Sequence, residues 1–399
     1  DLCLNRTLWA AESLELERAL QDIERYRKGD VTITLVDESG KPIKGAQIGI
    51  TQITHDFLFG ASPDGPDIDL QACKLLMQTG INYGHFEFCW YCIERPLGQY
   101  HLNENRPYLF KSLDEMGLVL GGGCLFLLEA GPDTYNTGLV NLTFEQLKTK
   151  IYEHVHKVVS EYSSYIDYWT IAHNVNRQYD SLGFSRPQVL DLIKTGIEAV
   201  RSADPGSKVL LYIDDPGGDK STADDMDAYT FFSQLSEKGI DIDGMVLGIE
   251  YGSLYEYPTG FGLYGEQIPM PFMDLASISR ILDWYDTISL PIHVEVHAPA
   301  TFKSNLGYWH ARSWDERLQA EWVEKCYTIA FSKPLMREIT YSYVMDRDYH
   351  RAGRGLLDVR YSPKESFYAL KRLINEKWTT RLHMTTDANG QVEFRGFAG

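Results

Sequence analysis

The stretch Leu290-Pro-Ile-His-Val-Glu-Val-His-Ala-Pro299 is an apolar run that ends on a carboxylate, Glu295, followed two residues later by His297. A short apolar run of this kind predicts a buried strand. An acid and an imidazole at the C-terminal end of such a strand are typical of a parallel α/β barrel, which carries its chemistry on that face. Glu295 is therefore the first catalytic candidate, and His297 accompanies it.

Apolar runs of the same kind recur along the chain and alternate with helical patterns. Eight of them have strand-like composition: Phe57–Ala61, Ile81–Phe88, Val119–Leu127, Tyr165–His173, Lys208–Asp214, Gly244–Glu250, Pro291–His297 and Glu338–Met345. Between them, Thr143 and Gln146 predict a capping box at the start of a helix, and apolar residues recur at helical spacing over 189–200. Eight strands alternating with helices predict an α/β protein with a (β/α)8 TIM barrel over residues 56–378.

The two ends of the chain do not follow that repeat. Residues 1–29 have the pattern of one N-terminal helix. Residues 30–55 contain a hairpin pattern that turns at Ser39-Gly40, and residues 379–399 contain a second hairpin pattern around Asn389-Gly390. We expect the two hairpins to pair into one small sheet, an accessory β-module beside the barrel.

Composition limits the classes of partner. The chain has 56 acidic and 38 basic residues, a formal net charge of −18, which argues against nucleic acid and other polyanions. Aromatic residues make up 13% of the chain, which suits a sugar-stacking cleft and equally a well-packed interior. No apolar run approaches membrane length, and no signal-peptide pattern opens the chain. We expect no membrane partner and a secreted or extracytoplasmic protein whose signal peptide has been removed; the oligomeric state stays open.

The six cysteines are too few and too scattered for a disulfide scaffold. Cys89-x-x-Cys92 together with Cys124 has a thiolate spacing that suits zinc. The simpler interpretation is that these residues are core thiols or form one disulfide between neighbouring strands. We therefore expect neither a metal nor a cofactor.

Several motifs carry a resemblance that covers nearly the whole chain. They are His55-x-Phe-Leu-Phe-Gly60, Trp90-Tyr-x-x-Glu94, Ala203-Asp-Pro-Gly206, Pro291-Ile-x-x-Glu295 and Ser362-Pro-Lys364. In this order and spacing the chain resembles glycoside hydrolase family 10, the β-1,4-xylanase family. The resemblance implies a (β/α)8 barrel, a polysaccharide or oligosaccharide substrate, and retaining hydrolysis by two carboxylates.

By that resemblance Glu295 falls on the family's nucleophile, the carboxylate that attacks the anomeric carbon. Asn174 occupies the position of the family's acid/base glutamate, and an amide cannot protonate a leaving oxygen and then deprotonate water. Around the nucleophile, the family's sixth-strand His appears as Glu250 and its seventh-strand Asp as His297. That exchange would preserve one acid and one imidazole beside Glu295. The chain therefore resembles a divergent member that lacks the usual acid/base.

Glu250 is a carboxylate that could replace the missing proton donor. Because the sixth and seventh strands are neighbours, however, it should lie too close to Glu295 to flank a glycosidic bond, and an orienting role suits it better. Acids held in reserve are Glu129, Asp180, Asp214 and Asp215. Side chains that could bind substrate are Trp90, Tyr91, His173, Tyr251, Trp309, Tyr343 and Asp346. Each aromatic taken singly is more often a packing residue, and each histidine is as readily a satisfied strand-end residue.

Three functions follow from these residues. The first is a divergent, xylanase-like retaining glycoside hydrolase in which Glu295 is the nucleophile. Its acid would come from Glu250, Asp180, a loop residue or a group of the substrate itself. The second is a carbohydrate-binding pseudoenzyme, which holds a glycan without cleaving it. The third is a metal-dependent barrel hydrolase using Glu250, Glu295 and His297, with His173 as a further candidate ligand; it ranks last because the sequence has no dense His/Asp ligand motif. The retained nucleophile favours the first function.

Overall fold

The structure, a computed structural model, describes residues 2–63, 70–102, 106–126, 138–173, 184–213, 228–250, 274–301, 314–346 and 353–399. Its strands, in chain order, are β1 (Lys28–Thr34), β2 (Gln47–Thr51), β3 (Leu58–Ala61), β4 (Tyr83–Glu87), β5 (Val119–Phe126), β6 (Tyr168–His173), β7 (Lys208–Ile213), β8 (Gly244–Glu250), β9 (Ile292–His297), β10 (Met336–Tyr341), β11 (Arg381–Thr385) and β12 (Gln391–Phe397). Strands β3 to β10 are parallel and form a closed barrel in chain order, with β10 pairing to β3. The predicted (β/α)8 barrel is confirmed.

Each of the eight apolar runs overlaps a barrel strand, because parallel strands are covered by helices on one side and by the barrel interior on the other. The eighth strand differs most from its predicted bounds. It begins at Met336 and ends at Tyr341, whereas the apolar run continues to Met345. Tyr343 has a left-handed backbone with a φ of 59°, so the extended conformation cannot continue through it. The chain therefore turns over the rim of the barrel at this residue.

Helices alternate with the barrel strands. Their bounds are α1 (Leu2–Tyr26), α2 (Leu70–Met77), α3 (Trp90–Ile93), α4 (Arg106–Glu115), α5 (Phe144–Tyr162), α6 (Arg186–Ala203), α7 (Ala228–Glu237), α8 (Leu275–Asp286), α9 (Glu316–Ser332) and α10 (Glu365–Arg372), which continues as a π-helical turn over Leu373–Lys377. The predicted capping box is present at the start of α5, where Thr143 accepts from the backbone of Gln146 and donates its own N–H to the Gln146 side chain at 2.9 Å. Local sequence therefore defines where this helix begins.

The two chain ends pair with each other outside the barrel. Strand β1 runs antiparallel to β12, from Lys28 opposite Phe397 to Thr34 opposite Gln391. Strand β2 pairs in the same sense with β11. Each of these two-stranded sheets therefore contains one strand from either end of the chain. The two strands of each expected hairpin lie in different sheets, because their backbone hydrogen bonds go to the other end of the chain.

Helix α1 packs on the outside of the barrel against α8 and α9. Glu12 accepts from Lys325 at 2.6 Å, and Arg18 donates to Asp283 at 2.8 Å. The Glu12 carboxylate is 5% exposed, so its contact is screened less than an ordinary surface ion pair. None of the helices in the described ranges combines the length and apolar character that a bilayer span requires.

Candidate active site

Glu295 and His297 lie at the C-terminal end of β9, on the same side of the strand because side chains alternate with a period of two. The Nε2 atom of His297 is 3.8 Å from Oε1 of Glu295, a separation too long for a hydrogen bond. The two side chains are 12% and 15% exposed, so both border the solvent-facing end of the barrel. The acid and imidazole that the sequence predicts are therefore brought together.

Ser342 donates a hydrogen bond to this carboxylate. It follows β10 directly, and its hydroxyl donates to Oε1 of Glu295 at 2.7 Å. The side chain of the next residue, Tyr343, meets the His297 ring edge-on, with centroids 4.9 Å apart. Tyr343, one of the predicted substrate-binding aromatics, therefore lies at the site. Sequence reasoning missed Ser342, although Glu338, Thr340 and Ser342 alternate as polar residues along the eighth run.

A buried polar cluster fills the barrel below Glu295. His293 and Glu338 are 2% and 4% exposed, and Nδ1 of His293 lies 2.5 Å from the Glu338 carboxylate, which also accepts from Thr340. The ring of Tyr168 on β6 is 5.6 Å from that of His293 on β9. Because β6 and β9 are not neighbours in the barrel, this contact crosses the interior. The inward faces of β9 and β10 are therefore polar from the middle of the barrel to its rim.

Tyr83 belongs to the same interior. Its ring meets that of Tyr168 at 5.9 Å, and a side chain at Gly121 would collide with its hydroxyl. Burial raises the pKa of Tyr83 well above its ordinary value, with the Glu338 charge acting in the same direction. The phenol therefore stays neutral and is available only as a hydrogen-bonding group.

Trp90 and Tyr91 occupy the start of α3, after β4. The Trp90 ring is buried and stacks on His154 of α5 at a centroid distance of 4.0 Å and an interplanar angle of 8°. Tyr91 is partly exposed, and the Arg95 guanidinium lies 4.4 Å from its ring centroid. The structure thus places Trp90 in a packed cluster, whereas Tyr91 keeps an accessible face.

Glu94 and His154 form the polar centre of that cluster. They are 1% and 0% exposed, and Nδ1 of His154 lies 2.7 Å from the Glu94 carboxylate. Burial lowers the pKa of His154 even though Glu94 opposes this. Burial alone would raise the pKa of Glu94, but hydrogen bonds from His154, Gly98 and Tyr100 outweigh it and lower that pKa. A neutral imidazole therefore donates to an ionised carboxylate here.

Asp346 was predicted to bind substrate, and both of its oxygens have protein partners. Oδ1 accepts from the Gly355 backbone N–H at 2.7 Å, and Oδ2 accepts from Lys364 at 2.8 Å. The Asp346 and Lys364 side chains are 18% and 6% exposed. This carboxylate therefore ties the segment after β10 to the start of α10.

The remaining predicted site residues are described in part or not at all. Glu250 ends β8 as the register partner of His297, and His173 ends β6 opposite Tyr212; the side chains of both lie outside the described part of the structure. The other predicted positions, proton donors in reserve included, fall outside the described residues. They are Glu129, Asn174, Asp180, Asp214, Asp215, Tyr251 and Trp309.

The cysteines do not form the expected arrangement. Cys89 and Cys92 are bonded to each other, so the disulfide lies within one segment at the start of α3 and not between neighbouring strands. Neither thiolate remains to bind a metal together with Cys124, which is buried. Within the described ranges, no three His, Cys, Asp or Glu side chains are grouped so that they could hold a metal ion.

The described residues thus form a closed eight-stranded barrel with Glu295 at the C-terminal end of its seventh strand. The model of glycosyl hydrolase family 10 matches residues 90–256. Xylanase 10B from Thermotoga petrophila RKU-1, solved with xylobiose, superposes with a TM-score of 0.60 at 17% identity and covers 82% of this chain and 99% of its own. A family 39 glycoside hydrolase from Bacteroides cellulosilyticus WH2 superposes with a TM-score of 0.58 at 15% identity, and the match covers 88% of this chain and 71% of that one. The resemblance to family 10 is confirmed, and the fold is xylanase-like.

Two curated relatives match at the level of sequence. The anti-sigma-I factor RsgI6 of Acetivibrio thermocellus is 24% identical over 390 residues, which are 96% of this chain and 46% of that protein. Endo-1,4-beta-xylanase B of Thermotoga neapolitana is 23% identical over 251 residues, which are 59% of this chain and 64% of that protein. The chain therefore spans less than two thirds of the length of either relative.

Proposed function

We propose that this chain is a glycoside hydrolase of the retaining type in which Glu295 is the nucleophile and the usual acid/base residue is missing. One observation carries the proposal: a carboxylate at the C-terminal end of the seventh barrel strand is oriented by the Ser342 hydroxyl at 2.7 Å. It also borders solvent in a xylanase-like fold. This is where a barrel enzyme presents its reacting groups.

The proposed chemistry has two steps. Formation of a glycosyl-enzyme on Glu295 needs a proton for the leaving oxygen, and its hydrolysis needs a base that takes a proton from the attacking water. In the first, a Glu295 oxygen bonds to the anomeric carbon while the bond from that carbon to the leaving oxygen breaks, and the electron pair goes to the leaving oxygen. A poor leaving group needs a proton at this moment. The residue at the acid/base position is Asn174, which has none to give. Loss of general-acid catalysis typically costs about 10²- to 10⁴-fold in rate.

An activated aryl glycoside tests attack by Glu295 without the need for an acid, since a dinitrophenolate leaves without protonation. With 2,4-dinitrophenyl β-xylobioside, we expect a burst of one phenolate per protein and a mass increase of one glycosyl group. Azide, which attacks without a general base, should form the glycosyl azide and regenerate Glu295. The rate on xylan should stay far below the rate on the aryl substrate.

Matched variants assign the label. Glu295→Gln should remove it, while Glu94→Gln, which changes a buried carboxylate in a different cluster, should leave it in place when the variant is folded. Asn174→Glu should raise activity on xylan if the acid is what is missing. If neither aryl pentosides nor aryl hexosides label Glu295, the hydrolase proposal fails.

A second candidate is a glycan-binding domain without turnover. Two observations favour it: Asn174 replaces the acid/base in sequence, and a relative matching 96% of this chain has the name of an anti-sigma-I factor and not of a glycosidase. Affinity electrophoresis on xylan tests it. Retarded migration of both the wild type and Glu295→Gln, with no labelling by any aryl glycoside, would establish binding in place of hydrolysis.

A further inference from the structure

The backbone of Ser342 is held in place by a hydrogen bond of its own, separate from the contact that its side chain makes. It stands one residue beyond β10, and its N–H donates to the carbonyl of Val296 at 3.0 Å. That carbonyl lies between Glu295 and His297 in the sequence of β9. The residue is 2% exposed, so neither its backbone nor its hydroxyl is free to reorient into solvent.

The hydroxyl is aimed at one oxygen of the carboxylate. It donates to Oε1 of Glu295 at 2.7 Å, within the range of a hydrogen bond to an ionised group. The same oxygen is the one that lies 3.8 Å from His297. Both contacts therefore engage one side of the carboxylate and restrict rotation about its side-chain torsions.

The backbone after Ser342 keeps this geometry in place. Tyr343 adopts a φ of 59°, a left-handed conformation that is uncommon for an aromatic residue. Its ring packs edge-on against His297. Two consecutive residues of the β10 rim thus contact the two inward residues at the end of β9, one pair through a hydrogen bond and the other through a ring contact.

We propose that Ser342 is a positioning residue for Glu295: its hydroxyl holds the carboxylate in one rotamer and favours the ionised form that attacks the anomeric carbon. The inference rests on the proposed function, because positioning has a kinetic meaning only if Glu295 is the nucleophile. A buried serine that merely satisfied its own hydroxyl would contribute to stability and to nothing else.

Three variants distinguish these roles. Ser342→Ala removes the donor, and Ser342→Thr keeps a hydroxyl at the same position. Ser332→Ala removes a buried hydroxyl that donates to the Ile329 carbonyl at the end of α9, before β10 begins, whereas Ser342 follows the other end of β10. The readout is the rate of phenolate burst from 2,4-dinitrophenyl β-xylobioside between pH 4 and 8. Circular dichroism checks that each variant is folded.

We expect Ser342→Ala to lower the burst rate about tenfold at its plateau, as loss of one hydrogen bond to a charged group would do. Its acid limb should move to higher pH, since the ionised form has lost a donor. Ser342→Thr should restore both properties, and Ser332→Ala should match the wild type. A Ser342→Ala profile that overlies the wild-type profile within twofold would overturn the proposal.

Failure of the proposed function leaves a second readout intact. With ¹³C-labelled glutamate, the Glu295 resonance is assigned as the one missing in Glu295→Gln and is then titrated. We expect its midpoint to lie at higher pH in Ser342→Ala than in the wild type. Equal midpoints would refute the effect of Ser342 on Glu295 even if an aryl glycoside attaches a glycosyl group to the wild type. A wild type that never acquires a glycosyl group would refute the role of Glu295 as nucleophile and leave the contact with Ser342 untouched.

Discussion

Asp346→Asn tests whether the carboxylate after β10 binds glycan or holds the barrel together. In the structure it joins Lys364 at 2.8 Å and the Gly355 N–H at 2.7 Å. Asparagine can keep the acceptor for Gly355 but removes the charge opposite Lys364. Because the Lys364 side chain is 6% exposed, its ammonium would remain buried without a counter-charge. We therefore expect a loss of stability with glycan affinity unchanged.

The size of the loss follows from the burial of the pair. Breaking a buried ion pair on one side costs about 3–5 kcal/mol, and the lower figure applies here because Asp346 is 18% exposed. Unfolding entropy of about 2.1 cal/mol/K per residue amounts to about 0.8 kcal/mol/K for a chain of 399 residues. A loss of about 3 kcal/mol then lowers the melting temperature by about 4 °C.

Urea unfolding and calorimetry measure the stability, and affinity electrophoresis on xylan measures binding. Glu115→Gln is the matched control, since Glu115 and Lys111 form an exposed pair at 3.9 Å whose removal should change stability by less than about 1 kcal/mol. Adding Lys364→Met to Asp346→Asn should recover part of the loss, because the orphaned charge is removed. Unchanged stability together with abolished glycan binding would refute the structural role and restore the predicted substrate role.

Two further predictions concern the chain outside the site. His55 is neutral in the fold, accepting from the Phe57 N–H and donating to the Trp378 carbonyl, and burial lowers its pKa from 6.5 to about 4. Its contribution to stability is complete above pH 6.5 and is lost as the pH falls towards 4, in total about 3 kcal/mol at about 1.4 kcal/mol per pH unit. Urea unfolding from pH 7 to 4 should show a smaller loss in His55→Gln, and equal losses would contradict it. Deleting residues 381–399 removes both partners of β1 and β2 and should lower the melting temperature. An unchanged value would show that this pairing contributes nothing.

The barrel was predictable because its signals are local. A parallel strand buried on both faces appears in the sequence as a continuous apolar run, and a capping box needs only Thr143 and Gln146, three residues apart. The end of the eighth strand was not predictable in this way. The apolar pattern continues beyond Tyr341. The left-handed turn falls on Tyr343, and a tyrosine does not signal such a turn in the sequence as a glycine would.

The residues of the candidate site also fall into two groups, those that local spacing predicts and those that it does not. Glu295 and His297 were found because a period of two places both on one face of one strand. Ser342 lies 47 residues from Glu295, and the His293–Glu338 pair is separated by 45 residues. Consecutive parallel strands are expected to be neighbours, but only the observed register of β9 against β10 decides which of their side chains meet, so no spacing in the sequence indicates these contacts.

The sequence by itself determined the strand and helix pattern, the acid and imidazole at the end of the seventh strand, and the amide at position 174. These are properties of residue type and short-range periodicity, which need no partner to be recognised. Tertiary structure alone decided which side chains surround Glu295, that Trp90 stacks on His154, and that Asp346 is paired with Lys364. The physical reason is that burial and hydrogen-bond geometry depend on distances between segments, and the packing of strands and helices in the folded chain sets those distances.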